Sequence, residues 1–186
     1  MRERLGDMLV RLRLVSPQML DAALKAQMIY GGRVGANLVE LGHLDIDKLA
    51  ELLAQQSGCP IATQAALEQI PESVLKHLKS ALAEKLLAVP FALNGRRLSM
   101  AMCDPQSPLH IDQLSFATGM RIVPFVCPEL RVYYFLERWY GVKRPARYIR
   151  LAPERTFVPP GPVHAPSSSP SAMASPGRVS EPGLFG

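Results

Sequence analysis

The sequence predicts an α+β protein: a duplicated four-helix subdomain, then a small three-stranded sheet with helices, then a disordered tail. Three observations carry this. Leucines recur at helical spacing through residues 3–56. Asn94-Gly95 separates two short apolar stretches, a strong hairpin signal. Nine of the 17 prolines lie after Gly141, so the last quarter differs in kind from the rest. The expected boundaries are 1–58 for the helical part, 59–141 for the sheet part and 142–186 for the tail.

The duplication is read directly. With a shift of 29 residues, Arg4, Gly6, Leu9, Val10, Leu12, Leu20, Leu24 and Gln27 each land on an identical residue, from Arg33 to Gln56. The leucines need only a core to explain them. Arg-x-Gly at one end and Gln at the other are not core requirements, and their recurrence in phase asks for a function.

Each element then has its own signal. Leu5, Met8, Leu9 and Leu12 share one face of a helix over 3–13. Ser16-Pro17 reads as an N-cap followed by proline at the first helical position. The helix it opens runs to about Met28, with Met19, Leu20, Ala23, Leu24 and Gln27 inward, and stops at Gly31-Gly32. A third helix spans 34–41 and ends at Gly42. Asp45 caps a fourth, whose stripe of Leu49, Leu52 and Leu53 ends at Ser57-Gly58.

Beyond Pro60, residues 64–68 suggest a helical turn, and Pro71-Glu72 opens a helix through Leu78 that could continue to Ala83. Residues 86–93 read as a strand in which Pro90 argues for an edge or a bulge. The strand returning from the hairpin covers 97–103, a helix follows over 108–117 to Gly119, and a third strand covers 121–126. Pro128-Glu129 starts a last helix carrying Leu130, Tyr133, Tyr134, Leu136 and Tyr140. From Val142 onward the Pro- and Ser-rich composition cannot bury enough surface to offset chain entropy.

Composition narrows the function classes. The net charge of +5 is partly local, in Lys143, Arg144, Arg147, Arg150 and Arg155, and is not interleaved with aromatics as a nucleic-acid surface would be. Cys59, Cys103 and Cys127 form no C-x-x-C pair, and with His43, His77, His110 and His164 they offer no metal-site spacing. They read as reduced, buried thiols. No apolar run approaches a membrane span and no secretory signal opens the chain, so a soluble cytoplasmic protein is expected. Asp112, Ser99 and Ser115 suggest no triad, and paired carboxylates are lacking, so no catalytic constellation is read.

The doubled motif resembles a known family. R-L-G-x-x-L-V followed by spaced leucines and a closing glutamine, given twice with a five-residue joint, is similar to the MshEN-type domain. That domain stands at the N-terminus of many type II secretion and type IV pilus assembly ATPases. Leu98 to Pro105 resembles the family's L-x-V-A-M-x-D-P stretch, Ile111 to Gly119 its I-D-x-L-x-F-x-T-G, and Trp139-Tyr140-Gly141 its closing Y-Y-G. The phosphate-cradling G-x-x-x-x-G-K-[ST] does not occur in the sequence, so the expectation is such a domain without the ATPase domain, and not an enzyme.

The resemblance implies binding of cyclic di-GMP as a regulatory ligand, with no cofactor. Carried over by motif position, Arg4 and Arg33 would face guanine or phosphate, and Leu5-Gly6 and Val34-Gly35 would form close-approach turns. Leu9, Leu20, Leu24, Leu38, Leu49 and Leu53 would make the apolar surround. Gln27 and Gln56 would close each half by hydrogen bonding. Guanidinium stacking or forking onto phosphate, side-chain-free backbone at glycine and the two-way hydrogen bonding of glutamine suit those roles. Partners implied are a secretion or pilus assembly ATPase or an inner-membrane platform protein, with no nucleic acid polymer and no membrane insertion.

One departure matters. The family's first motif has glycine where this chain has Arg13, while the second keeps Gly42. If the position is a left-handed helix stop, Arg13 strains it by about 1 kcal/mol. The alternative reading is therefore a structural adaptor with a degenerate first motif that docks on a platform protein or ATPase without binding the nucleotide.

Overall fold

The structure, a computed structural model, describes residues 3–145. Its helical part consists of α1 (Leu5–Arg11), α2 (Pro17–Tyr30), α3 (Val34–Glu40) and α4 (Ile46–Ser57). The caps are those the sequence signals. Ser16 Oγ accepts from Met19 N–H, and Asp45 accepts from Asp47 and Lys48 N–H. Gly31 (φ 75°) and Gly58 (φ 68°) stop α2 and α4.

Helices α1 and α3 end in the same Schellman arrangement. Arg13 N–H donates to Val10 O at 2.9 Å and Leu14 N–H to Leu9 O at 3.0 Å. One repeat later, Gly42 N–H donates to Val39 O at 3.0 Å and His43 N–H to Leu38 O at 2.9 Å. Both stop positions are left-handed, with φ 57° at Arg13 and 73° at Gly42. Arg13 is exposed, so little packing offsets its conformational cost. Arg13→Gly is expected to stabilise the protein by about 1 kcal/mol, read as a higher thermal midpoint. An unchanged or lower midpoint would show that the arginine side chain returns what its backbone loses.

The inward face expected for α2 needs correction. Ala23 is its buried residue, Leu20 is half-buried, and Met19 and Leu24 are 38% and 43% exposed. Helix α1 has seven residues against fourteen in α2, too short to cover a full apolar stripe. Leu9, Leu38, Leu49 and Leu52 instead form the centre of this core.

The second part runs α5 (Gln64–Glu68), α6 (Glu72–Leu75), α7 (Ser80–Leu86), β1 (Ala88–Asn94), β2 (Arg97–Met102), α8 (Pro108–Thr118), β3 (Arg121–Val126) and α9 (Glu129–Tyr140). Two boundaries differ from expectation. The helix foreseen from Pro71 towards Ala83 is broken, because Lys79 is extended (φ −72°, ψ 142°) and starts α7 afresh. Leu75, Leu78 and Ala83 all lie in the larger core. The first strand starts at Ala88 rather than 86, since Leu86 still belongs to α7 and Leu87 is a left-handed helix stop (φ 46°).

The sheet has the order β1-β2-β3, with β1 antiparallel and β3 parallel to β2. Pro90 lies on an edge strand at a register shift between Pro90 and Ala92, where a missing N–H is tolerated. Asn94 pairs with Arg97, so the two loop residues are Gly95 and Arg96, with Gly95 at φ 59°. Glycine at the first central position is the type II′ pattern, one residue out of frame from the Asn-Gly turn usually read. Leu98, Met100 and Met102 share the larger core with Phe135 and Leu136 of α9. Trp139 Nε1 donates to Leu67 O at 2.9 Å and Tyr140 Oη to Leu75 O at 3.0 Å, tying α9 to the α5–α6 side. Packing continues past Gly141, where the tail was expected to begin. Val142 lies on the core and Arg144 pairs with Glu137 and sits 5.5 Å from the Tyr134 ring. Residues 146–186, the remainder of that predicted tail, lie outside the described residues.

The two parts meet at α3 and α4. Ala36 packs with Leu130, and Val39, Ile46 and Tyr133 surround them. Beside this contact the buried Arg131 guanidinium pairs with Asp47. The second helix pair, not the first, is therefore the one seated on the sheet part.

Candidate functional site

Two hydrogen bonds organise the site. Gln27 Nε2 donates to the Gly32 carbonyl at 2.7 Å, and Gln56 Nε2 donates to the Glu3 carbonyl at 2.9 Å. A 29-residue shift turns the first into the second, with the motifs exchanged. Each glutamine thus holds the residue just before the arginine of the other repeat. Glu3 is also gripped by Arg11 through two bonds of 2.8 Å, which hold its exposed carboxyl below its ordinary pKa. On the other side, Asn37 is buried and donates to Gly31 O at 3.2 Å and Arg33 O at 3.0 Å, fixing the joint that presents Arg33.

The glycines have a packing role. Each sits at the second position of its helix, so the turn expected at Leu5-Gly6 and Val34-Gly35 is the first turn of a helix. A Cβ on Gly6 would stand 3.1 Å from Leu20 Cδ1, and one on Gly35 only 2.7 Å from Leu49 Cδ1. The nearest approach at both sites is made by the leucine of the same repeat, with Leu5 Cδ2 of the first repeat also 3.2 Å from the Gly35 position.

A cleft of about 290 Å³ opens where these features meet the sheet part. Arg33, Val34, Gly35, Leu49, Leu53 and Gln56 of the second motif line it, joined by Leu5 and Gln27 of the first. The remaining predicted residues lie elsewhere. Leu9 and Leu38 are fully buried in the core behind the cleft. Leu20 and Leu24 border a separate shallow depression with Asp7, Val10, Arg11 and Asp21. Gly6 lies beneath Leu20. Arg4 is exposed at the N-cap of α1, between the gripped Glu3 and the cleft-lining Leu5.

Three residues of the opposite wall carry no local signal in the sequence: Cys103, Cys127 and Glu129. They converge because β2 and β3 run parallel and in register, so Cys103 and Cys127 follow paired residues Met102 and Val126. Burial pushes the Cys127 thiol up to about 12, partly opposed by Arg131, and pushes Cys103 well above the usual thiol range. Both therefore present neutral thiols to the cleft. Arg33 is bound to this wall twice. Its Nη1 donates to Cys103 O at 3.1 Å, and its backbone N–H donates to Glu129 Oε2 at 3.1 Å.

The cleft gathers one guanidinium, two clasped amides, apolar walls and one carboxylate. Among the described residues there is no group of three or more metal-ligating side chains, and no helix long and apolar enough to cross a membrane.

Known proteins share this framework. The family model of the MshEN domain matches residues 57–146. The type IV pilus assembly ATPase PilB of Myxococcus xanthus is 36% identical over 146 residues, covering 78% of this chain and 26% of that protein. PilB of Thermus thermophilus is 32% identical over 140 residues, 74% of this chain and 16% of its own length. The chain thus spans about a quarter or less of these relatives. A solved structure of MshE with cdg, cyclic di-GMP, superposes with a TM-score of 0.57 at 30% identity, covering 75% of this chain and all of that one. On the strength of that match over the whole of the solved chain, this chain belongs to the MshEN domain family.

Proposed function

We propose that the cleft binds cyclic di-GMP and that the domain serves type IV pilus or type II secretion assembly as a regulatory or adaptor module. The observation that carries this reading is the exchanged pair of glutamine clasps. They bring residues of both motifs around one concavity, which suits a ligand made of two similar halves. The relation to MshE solved with this nucleotide, and to PilB, supports it.

The volume of about 290 Å³ lies at the lower limit of ligand pockets, ~300–1,000 Å³. It has room for one nucleotide half, and the second half would lie over the open surface beside Arg4. Each clasping glutamine spends Nε2 on the protein and keeps Oε1 to accept from a base or ribose donor. The Arg33 guanidinium, anchored by one nitrogen, retains further N–H groups for a phosphate and a flat face for a purine. Partners of this chemistry are the assembly ATPase or its inner-membrane platform protein, in the cytoplasm.

A second reading, a structural adaptor that binds no nucleotide, is favoured by the strained Arg13 and by the commitment of Arg33 to Cys103 O. Calorimetric titration with cyclic di-GMP separates the two. Saturable heat is expected, with a rise in thermal stability of about 2.7 kcal/mol at a ligand concentration a hundredfold above Kd. Arg33→Ala is expected to weaken binding roughly 10- to 150-fold, the worth of a charged hydrogen bond. Arg4→Ala should weaken it as well, with the unfolding transition of both variants retained. Neither heat nor stabilisation at large excess would leave the adaptor.

A further inference from the structure

Glu129 is the one carboxylate in the cleft wall, and it comes from the sheet part rather than from either motif. Its Oε2 is held by the Arg33 backbone N–H at 3.1 Å, across 96 residues of chain. Among the described residues no donor engages its Oε1. This is a carboxylate turned by a fixed peptide group and presented to a cavity whose other lining is the Arg33 guanidinium, two amides and apolar side chains. A carboxylate here works against a phosphate and suits a ligand group rich in donors. Its roughly four lone-pair sites can receive two further N–H groups while the Arg33 contact persists.

We infer that Glu129 reads the Watson–Crick edge of the guanine seated over the second motif and makes the site selective for guanine over adenine. The inference rests on the reading of the cleft as a cyclic dinucleotide site. Guanine places two donors, N1–H and the N2 amine, side by side, matching the two oxygens of a carboxylate. Adenine presents a ring-nitrogen acceptor at N1, which would face a carboxylate lone pair. Hypoxanthine keeps N1–H and lacks the N2 amine. The first repeat has no counterpart, because its helix pair is not seated on the sheet. Only one of the two bases is read this way.

The test is titration of the whole chain with cyclic di-GMP, cyclic di-AMP and cyclic di-IMP. Wild type should prefer cyclic di-GMP over cyclic di-AMP, with cyclic di-IMP between them. Glu129→Gln keeps an oxygen for Arg33 N–H but turns an amine towards guanine's donors. It should lose roughly 5- to 150-fold in affinity for cyclic di-GMP, the range of a good bidentate base contact, and not lose affinity for cyclic di-AMP. The readout is the ratio between ligands in one preparation, so partial unfolding lowers both arms and leaves the ratio intact. If the variant does not fold, the wild-type order of the three ligands still decides. An unchanged ratio in Glu129→Gln, tighter cyclic di-GMP binding by it, or equal wild-type affinity for the inosine and guanine ligands overturns the inference while the dinucleotide site stands. Wild type binding none of the three overturns the site itself.

Discussion

Leu49→Ala should destabilise the protein by about 2–5 kcal/mol, the usual cost of emptying a buried leucine site. Leu49 is 2% exposed, belongs to the helical core and also lines the cleft. Its Cδ1 reaches within 2.7 Å of where a Cβ on Gly35 would stand, and its Cδ2 within 3.2 Å. Gly35→Ala alone is therefore expected to destabilise by about 1–3 kcal/mol, because the leucine must move off its packed position. Together the two changes should cost less than their sum, since the new methyl occupies space that the shortened side chain has left. Denaturant titration of the four proteins in this cycle measures the coupling. Strict additivity would mean that the glycine is not there to admit the leucine. Gly6 and Leu20 form the equivalent pair at 3.1 Å, with Leu20 half-buried, so a smaller coupling is expected there.

Phe135→Ala is expected to cost about 3–5 kcal/mol. Phe135 is the largest fully buried side chain of the described residues, at 0% exposure, and α9 hangs on it. Its ring meets Tyr134 edge-on at 5.0 Å, and α9 packs against β1. Helix α9 also supplies Glu129, Leu130 and Arg131 to the contact with the helical part. Loss of the phenyl ring should therefore loosen the cleft as well as the sheet. Amide exchange at the start of α3, where Arg33 N–H is held by Glu129, would report this. Fast exchange confined to α9, with α3 unaffected, would show that the helix can loosen without disturbing the junction.

Local chemistry made much of the fold legible. Ser16 and Asp45 announce their helices because a short oxygen-bearing side chain satisfies orphan N–H groups at that position and few others do so as well. Pro90 announced an edge or a bulge, and the sheet has both an edge strand and a register shift there. Failures occurred where tertiary packing decided. Nothing local distinguishes a helix broken at Lys79 from a continuous one, since the residues on either side favour helix and their apolar spacing suits either. Leu24 keeps the leucine of its repeat but stands exposed, which no spacing rule records.

The site divides the same way. Arg33 and the two glutamines stood out through periodicity, and the structure brings them to one cleft. That the glutamines reach across to the opposite repeat was hidden, because a periodic motif does not state which copy its side chains serve. Cys103, Cys127 and Glu129 were hidden more deeply. Their place depends on the parallel register of β2 and β3 and on the seating of α9 against α3, relations that span 70 and 96 residues of chain.

Seating only one helix pair on the sheet has a consequence for how the two copies can change. A substitution in the anchored copy is felt by two neighbours at once, its twin and the sheet, so few replacements suit both. The outlying copy answers to its twin alone and can drift further before anything fails. Arg13, tolerated where the anchored copy holds Gly42, is the sort of divergence such unequal tenancy permits.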